Sequence, residues 1–279
     1  MSSRAGSARR VPVSPELVMC PPTYYTIAYE INPWMHLTRQ VRQATAIRQW
    51  RALHRLLTQQ LRLAVHLMTP APKVPDLVFT ANAGLVVKRL CIRSNFRYPQ
   101  RQREEPIVER YFKRRGYRIA TLPREFNFEG EGDALFAGRT LLLGFRFRSD
   151  AAAHEHLSRL LECEVLPVEL VDRRFYHLDT CFCPLDARSA LWYPRAFDRY
   201  GRAVIERTVP TLISVSEADA KRFACNALVA RRALVMQAGI SKRLRRRLEQ
   251  HGLAVHETDL SEFLKAGGSA KCLVLQLNR

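Results

Sequence analysis

The chain has 279 residues, 47% of them hydrophobic, and a formal net charge of +19, enough apolar material to bury a full core in one large domain or two small ones. Its longest apolar runs are broken by Gly138, Arg139, Gly144 and Arg146 and fall well short of the ~20 residues of a membrane span, so no transmembrane helix is expected. Seven scattered cysteines, at 20, 91, 163, 181, 183, 225 and 272, form an odd set in a chain too large to need staples. They point to free thiols in a reducing compartment, with the cytoplasm as the default.

Residues 1–13 are rich in Ser, Arg, Gly and Ala and lack the apolar core of a signal peptide. They read as a disordered tail, drawn at 1–18 ahead of one domain over 19–279. A β-like run at 25–31 leads to a helical pattern over 38–68, where Val41, Ala44, Ile47, Leu53, Leu56, Leu57 and Leu61 recur at helical spacing. Arg39, Arg42, Arg48, Arg51, Arg55 and Arg62 then coat a solvated face. Further β-like runs lie at 77–87, 134–143, 181–192, 228–236 and 271–277. Helical patterns fall between them at 106–115, 150–161, 198–204, 217–225 and 241–251, the last stopped by Gly252. That last helix carries a second basic cluster, Lys242, Arg243, Arg245, Arg246 and Arg247. So basic a surface invites a polyanion, but no zinc-finger spacing, basic zipper or aromatic RNA-binding motif accompanies it, and specific nucleic-acid binding is not expected.

Several strand-like runs are preceded or joined by a short polar segment: Thr80-Ala-Asn82, Glu129-Gly-Glu-Gly-Asp133, His177-Leu-Asp179 and Gly267-Gly-Ser-Ala-Lys-Cys272. The first three recur at about fifty residues and the last after about twice that, which leaves room for one more unit and predicts an internal repeat. Repeats that close in a ring bring Asn82, Glu129, His177 and Cys272 to one axis, so a propeller with a polar central pocket is the expected architecture.

The chemistry of these segments is specific to each. Cys272 follows a Gly-Gly pair and precedes the apolar run to Leu277, a position for a nucleophile whose ordinary pKa of ~8.5 must be lowered by nearby positive charge; a buried structural cysteine is the plainer alternative. His177 and Asp179, two apart, share one face of an extended segment, so the imidazole can move protons while the carboxylate binds a cation or holds the ring. Cys181 and Cys183 continue the alternation, but four ligands on one strand spread over about 20 Å, too far to close on one zinc ion, and these two read as core. The segment from Glu129 to Asp133 offers three carboxylates on a glycine-rich turn, suited to close approach by a planar cation. It runs into an apolar strand rather than opening a helix, which excludes a dinucleotide-binding loop.

Together these segments resemble the guanidine-modifying enzyme superfamily of arginine deiminases, dimethylarginine dimethylaminohydrolases, amidinotransferases and arginine dihydrolases. The resemblance rests on Met19-Cys-Pro-Pro22, Ile31-Asn-Pro-Trp-Met35, Asp76-Leu-Val-Phe-Thr-Ala-Asn-Ala-Gly84, Phe128-Glu-Gly-Glu-Gly-Asp133, Phe175-Tyr-His-Leu-Asp-Thr-Cys-Phe-Cys183, Glu217-Ala-Asp219 and Gly267-Gly-Ser-Ala-Lys-Cys272, in that order. The catalytic domain of bacterial arginine dihydrolases is the most similar member. It implies a five-fold pseudosymmetric α/β propeller, the pentein fold, as one catalytic domain needing neither metal nor organic cofactor. By matching motifs, Cys272 is the nucleophile, His177 the acid/base, and Glu129 and Asp179 hold the guanidinium of a guanidino or ureido amino acid. Asp133 joins the substrate-binding set, Arg148 stands where the substrate carboxylate is held, and Asn82 replaces the aspartate usual in deiminases. The implied reaction is hydrolysis of arginine to ornithine, ammonia and carbon dioxide; the alternatives are a dimethylargininase or deiminase that yields citrulline, and a basic binding protein on a retired enzyme fold. The dihydrolase pattern calls for arginine at Asn95 and glycine at Arg103, so Arg97 and Arg101 become candidates for the carboxylate clamp. Homo-oligomerisation is left open.

Overall fold

The structure, a computed structural model, describes residues 15–277. Its strands form five three-stranded sheets of identical construction. In the unit around Asn82, strand Gly84–Val87 turns back antiparallel into Leu90–Arg93, helix Glu105–Arg114 crosses over, and Arg118–Thr121 pairs parallel with the middle strand. The same order recurs at Ala134–Ala137, Thr140–Phe145, helix Ala153–Leu161 and Val165–Glu169. It recurs at Phe182–Pro184, Ser189–Trp192, helix Arg199–Thr208 and Thr211–Ser214, and at Leu228–Ala230, Ala233–Gln237, helix Lys242–Gln250 and Ala254–Thr258. The remaining sheet joins distant parts of the chain. Leu275–Gln276 pairs antiparallel with Glu16–Met19, which after helix Gln43–Arg55 pairs parallel with Ala64–Leu67.

The middle strands are the most buried, as the double-sided cover of a parallel pair requires: Leu90–Arg93 and Ser189–Trp192 are buried throughout. Helix Gln43–Arg55 packs through Ala46, Gln49, Trp50 and Leu53, while Arg39, Arg42, Arg48, Arg51, Arg55 and Arg62 are all exposed. The basic face is therefore solvated, as expected. The packing stripe is shifted, since Ala44 points to solvent and Trp50 and Gln49 point inward. Helix Lys242–Gln250 likewise buries Leu244 and Leu248. Among the described residues no helix is long and apolar enough to cross a membrane.

Several expected boundaries shift. The tail expected at residues 1–18 lies mostly outside the described residues, but Glu16–Met19 is a strand, so ordered structure starts before residue 19. Residues 25–31 form no strand: Tyr25, Ile27 and Ile31 are buried between exposed neighbours, so the alternation is real, but the segment lies on the core with no ladder partner. The helix expected over 38–68 ends in a π-helical turn, Leu56–Gln60, after which Arg62 takes a left-handed φ of 52° and releases the chain into strand Ala64–Leu67. Within 77–87 only Gly84–Val87 is strand, and within 271–277 only Leu275–Gln276. Residues 134–143, 181–192 and 228–236 are hairpins rather than single strands.

Candidate active site

Four of the five polar segments are tight turns immediately before a first strand. Thr80–Ala83, Gly130–Gly132 and Leu178–Thr180 are short 3-10 turns, and Cys272 sits in the turn before Leu275–Gln276. The ring of sheets delivers these turns to one centre, where Asn82, Glu129, His177, Asp179 and Cys272 are all at most 3% exposed. Gly132 is required for this convergence. A Cβ there would fall on the Asn82 Nδ2 and within 3.2 Å of the His177 ring.

Two contacts organise the chemistry. His177 Nε2 lies 2.8 Å from Glu129 Oε2, and Arg148 Nη1 donates to the same oxygen at 3.0 Å. Burial alone would push Glu129 up, yet Arg148 and His177 hold its carboxyl well below the ordinary range. An ionised carboxylate only accepts, so Nε2 carries the hydrogen and Nδ1, which has no partner among the described residues, is the nitrogen free to exchange a proton. On the other side Cys272 Sγ lies 3.2 Å from Asp179 Oδ2. Burial first, and then Asp179, pushes the Cys272 thiol up, while burial raises Asp179 to about 7 in spite of nearby Lys271. Both shifts favour the protonated forms of the pair.

The expected site residues do not all face the centre. The expected strand face for His177 and Asp179 is a 3-10 turn instead, with His177 at its start and Asp179 inside it, and the two bond to different partners. The three carboxylates of the glycine-rich segment diverge. Glu129 faces His177, Glu131 accepts from Lys271 Nζ at 2.8 Å, and Asp133 is engaged with the protein. Its Oδ2 accepts from Ser149 N and Oγ at 3.1 and 2.7 Å, and its Oδ1 from Leu178 N at 3.1 Å. Asp133 therefore ties the His177 segment to the neighbouring sheet rather than offering a free carboxylate to a substrate. Arg148 is 2% exposed, lies between the rings of Tyr98 and Tyr176, and donates to Ile31 O as well as to Glu129. It borders a cavity of about 310 Å³ shared with Ile31, Asn32, Tyr98, Arg173 and Tyr176.

Asn95 points away from the centre, its Nδ2 fastened to Leu122 O at 3.0 Å. Of the two arginines offered in its place, Arg97 pairs with Asp150 at the rim. Arg101 enters the site, donating to Asn82 Oδ1 at 2.9 Å and, through Nε and Nη2, to both oxygens of Glu104 at 2.8 Å. With its oxygen so held, Asn82 turns Nδ2 inward, buried and without a partner among the described residues.

The fifth polar segment went unread in the sequence. Asn226, just before strand Leu228–Ala230, is fully buried and donates to Cys272 Sγ at 3.0 Å. Its place about fifty residues after Asp179 and before Cys272 was the available signal. Asn226 stands between Cys225 and Ala227 with no glycine or second charged or amide residue beside it to mark the turn.

The model of the family described as N,N dimethylarginine dimethylhydrolase, eukaryotic, matches residues 28–279. The chain belongs to this family. The bifunctional arginine dihydrolase/ornithine cyclodeaminase ArgZ of Synechocystis is 45% identical over 269 residues, which cover 94% of this chain. The chain spans only 37% of that protein's length. The N(G),N(G)-dimethylarginine dimethylaminohydrolase of Mycobacterium tuberculosis is 37% identical, with 99% of this chain and 91% of that protein covered. Among solved structures, the N-terminal domain of ArgZ, as a cysteine-to-serine mutant bound to its substrate, superposes with a TM-score of 0.91 at 43% identity, covering 95% of this chain and 98% of that one. The family's five-fold pseudosymmetric α/β fold is the one described above, its sheets arranged around an axis without closing into a barrel.

Proposed function

We propose that this chain is an arginine dihydrolase that works by covalent catalysis with Cys272 as nucleophile. Glu129 and Asp179 hold the planar guanidinium, and the cation between them offsets the repulsion that keeps the Cys272–Asp179 pair protonated. As the sulfur forms a bond to the guanidinium carbon, the proton of the Cys272–Asp179 pair passes through His177 to the departing nitrogen, its C–N bond breaks, and ammonia leaves a covalent thiouronium. His177 then takes a proton from water, which adds to that carbon. The C–S bond breaks and citrulline is released. A second cycle on the ureido carbon yields ornithine, a second ammonia and carbon dioxide, so that arginine and two waters are consumed in all.

One observation carries the dihydrolase reading over a deiminase: the buried Asn82 amide, oxygen held by Arg101 and N–H₂ unpartnered at the centre. A neutral donor there suits a ureido oxygen, whereas a carboxylate only accepts and suits a cation. A second reading, hydrolysis of dimethylarginine to citrulline, is supported by the relative of nearly equal length from M. tuberculosis. Seven cysteines that form no disulfide among the described residues support a cytoplasmic location. The test is product analysis after separate incubation with arginine, citrulline and dimethylarginine, beside a Cys272→Ser control. Ornithine from arginine, lost in the control, is the expected result. Citrulline as the end product favours the second reading, and no turnover of any of the three overturns both.

A further inference from the structure

The nucleophile of a cysteine hydrolase needs a hydrogen-bond donor as well as a base, because a thiolate formed in a buried, apolar pocket is otherwise unsolvated. The groups around Cys272 are poorly suited to that task. Asp179 faces the sulfur at 3.2 Å and opposes its ionisation. Tyr176, buried and close enough to interact with the sulfur, directs its hydroxyl to Gly267 O at 2.9 Å. Lys271, next in the chain, turns its ammonium away to Glu131 and Val274 O. His177 is engaged with Glu129.

Asn226 is the exception, and all its amide positions are in use. Nδ2 donates to Cys272 Sγ at 3.0 Å and to Asp179 O at 3.1 Å, while Oδ1 accepts from Ser269 N at 3.0 Å and Cys272 N at 3.1 Å. The two backbone donors fix which end of the amide is oxygen, and so force an N–H toward the sulfur. One side chain thereby connects the nucleophile's sulfur, its own turn and the turn that carries Asp179.

We propose that Asn226 is a catalytic residue, the donor that stabilises the Cys272 thiolate in place of solvent. This rests on the reading of Cys272 as the nucleophile. Its effect runs in the direction expected of a donor, lowering the thiol against the upward push of burial and Asp179. Replacing the amide by a carboxylate of the same shape keeps the acceptor for Ser269 N and Cys272 N but removes the N–H and sets a second carboxylate beside the sulfur.

The experiment is the pH dependence of inactivation by iodoacetamide, a neutral alkylating agent, in wild type and Asn226→Asp, with Cys272→Ser to subtract the other thiols. It is run beside the pH profile of kcat/KM. The thiolate fraction falls ~tenfold for each unit by which the thiol pKa rises. The expected result is alkylation at neutral pH slowed at least tenfold, with the rising limb of both profiles displaced to higher pH and activity partly recovered in alkali. A purely structural role would lower activity equally at every pH and leave both limbs in place, and that result overturns the proposal. Should Asn226→Asp not fold, as judged by circular dichroism, Asn226→Ala carries the same readout with the same two outcomes. Failure of the parent reading looks different: wild type would turn over none of the three substrates while the alkylation limb still moved.

Discussion

Asn82 sits between a cation that holds its oxygen and a centre that receives its N–H₂, and under the proposed dihydrolase reaction its identity bears on which product leaves. In Asn82→Asp a carboxylate facing Arg101 still accepts from the guanidinium, but nothing then donates to a ureido oxygen. Consumption of arginine is expected to persist while ornithine formation from citrulline falls by roughly 10²- to 10³-fold, the loss seen when a preorganised donor is removed; equal losses on both substrates would show that the amide is merely structural. Asp179 makes a second prediction through linkage. Its folded pKa of about 7 lies above the ordinary carboxylate value of 3.8, so its ionisation costs stability that grows as pH rises from about 4 and levels off above about 7. Asp179→Asn has no such cost. Its melting temperature relative to wild type is expected to climb across that window and stay constant beyond it, while activity is lost with the guanidinium anchor. A gain independent of pH would remove Asp179 as the cause.

At the scale of elements, the repeated turn is what converts a sheet into a catalytic position. Gly132 holds the turn Gly130–Gly132 where Asn82 and His177 can approach one another, and Gly132→Ala has no room for its methyl group. The expected outcome is near-complete loss of activity with a smaller loss of stability, about 1–3 kcal/mol for an overpacked site, measured by denaturant unfolding beside turnover. Much of this layer was legible in the sequence, because hairpins such as the one spanning residues 134–143 bury most of their strand residues and read as apolar runs interrupted only at the turn. The third strand of each unit was not. Ala64–Leu67 and Arg118–Thr121 have exposed residues at both ends, and four residues on a sheet edge carry too little pattern to separate them from the preceding helix. His177 and Asp179 reach the centre by a geometry other than the expected strand face, since a spacing of two fits a strand face and a tight turn equally well. Asp133 was misassigned because residue type alone does not reveal that backbone N–H groups already occupy a carboxylate.

At the scale of the molecule, the axis is closed beneath the site by the Lys271–Glu131 pair, 7% and 0% exposed at the side chains, which also receives Gln276 N–H at 3.1 Å. Lys271 also borders a recess of about 310 Å³ shared with Gln276, Cys183 and Leu228 among others. Lys271→Met removes the cation paired with a buried carboxylate and is expected to cost about 3–5 kcal/mol. Adding Glu131→Gln, which keeps an acceptor for Gln276 and removes the charge, should restore most of it; a single variant as stable as wild type would show that the pair does not hold the axis together. The ring itself carries a further consequence. The sheet that supports Cys272 pairs strand Glu16–Met19 with Leu275–Gln276, so the earliest described strand must wait for the last before its sheet is complete. Four sheets are thus complete in sequence by Thr258, and the Cys272 sulfur meets Asn226 and Asp179 only when the circle is joined.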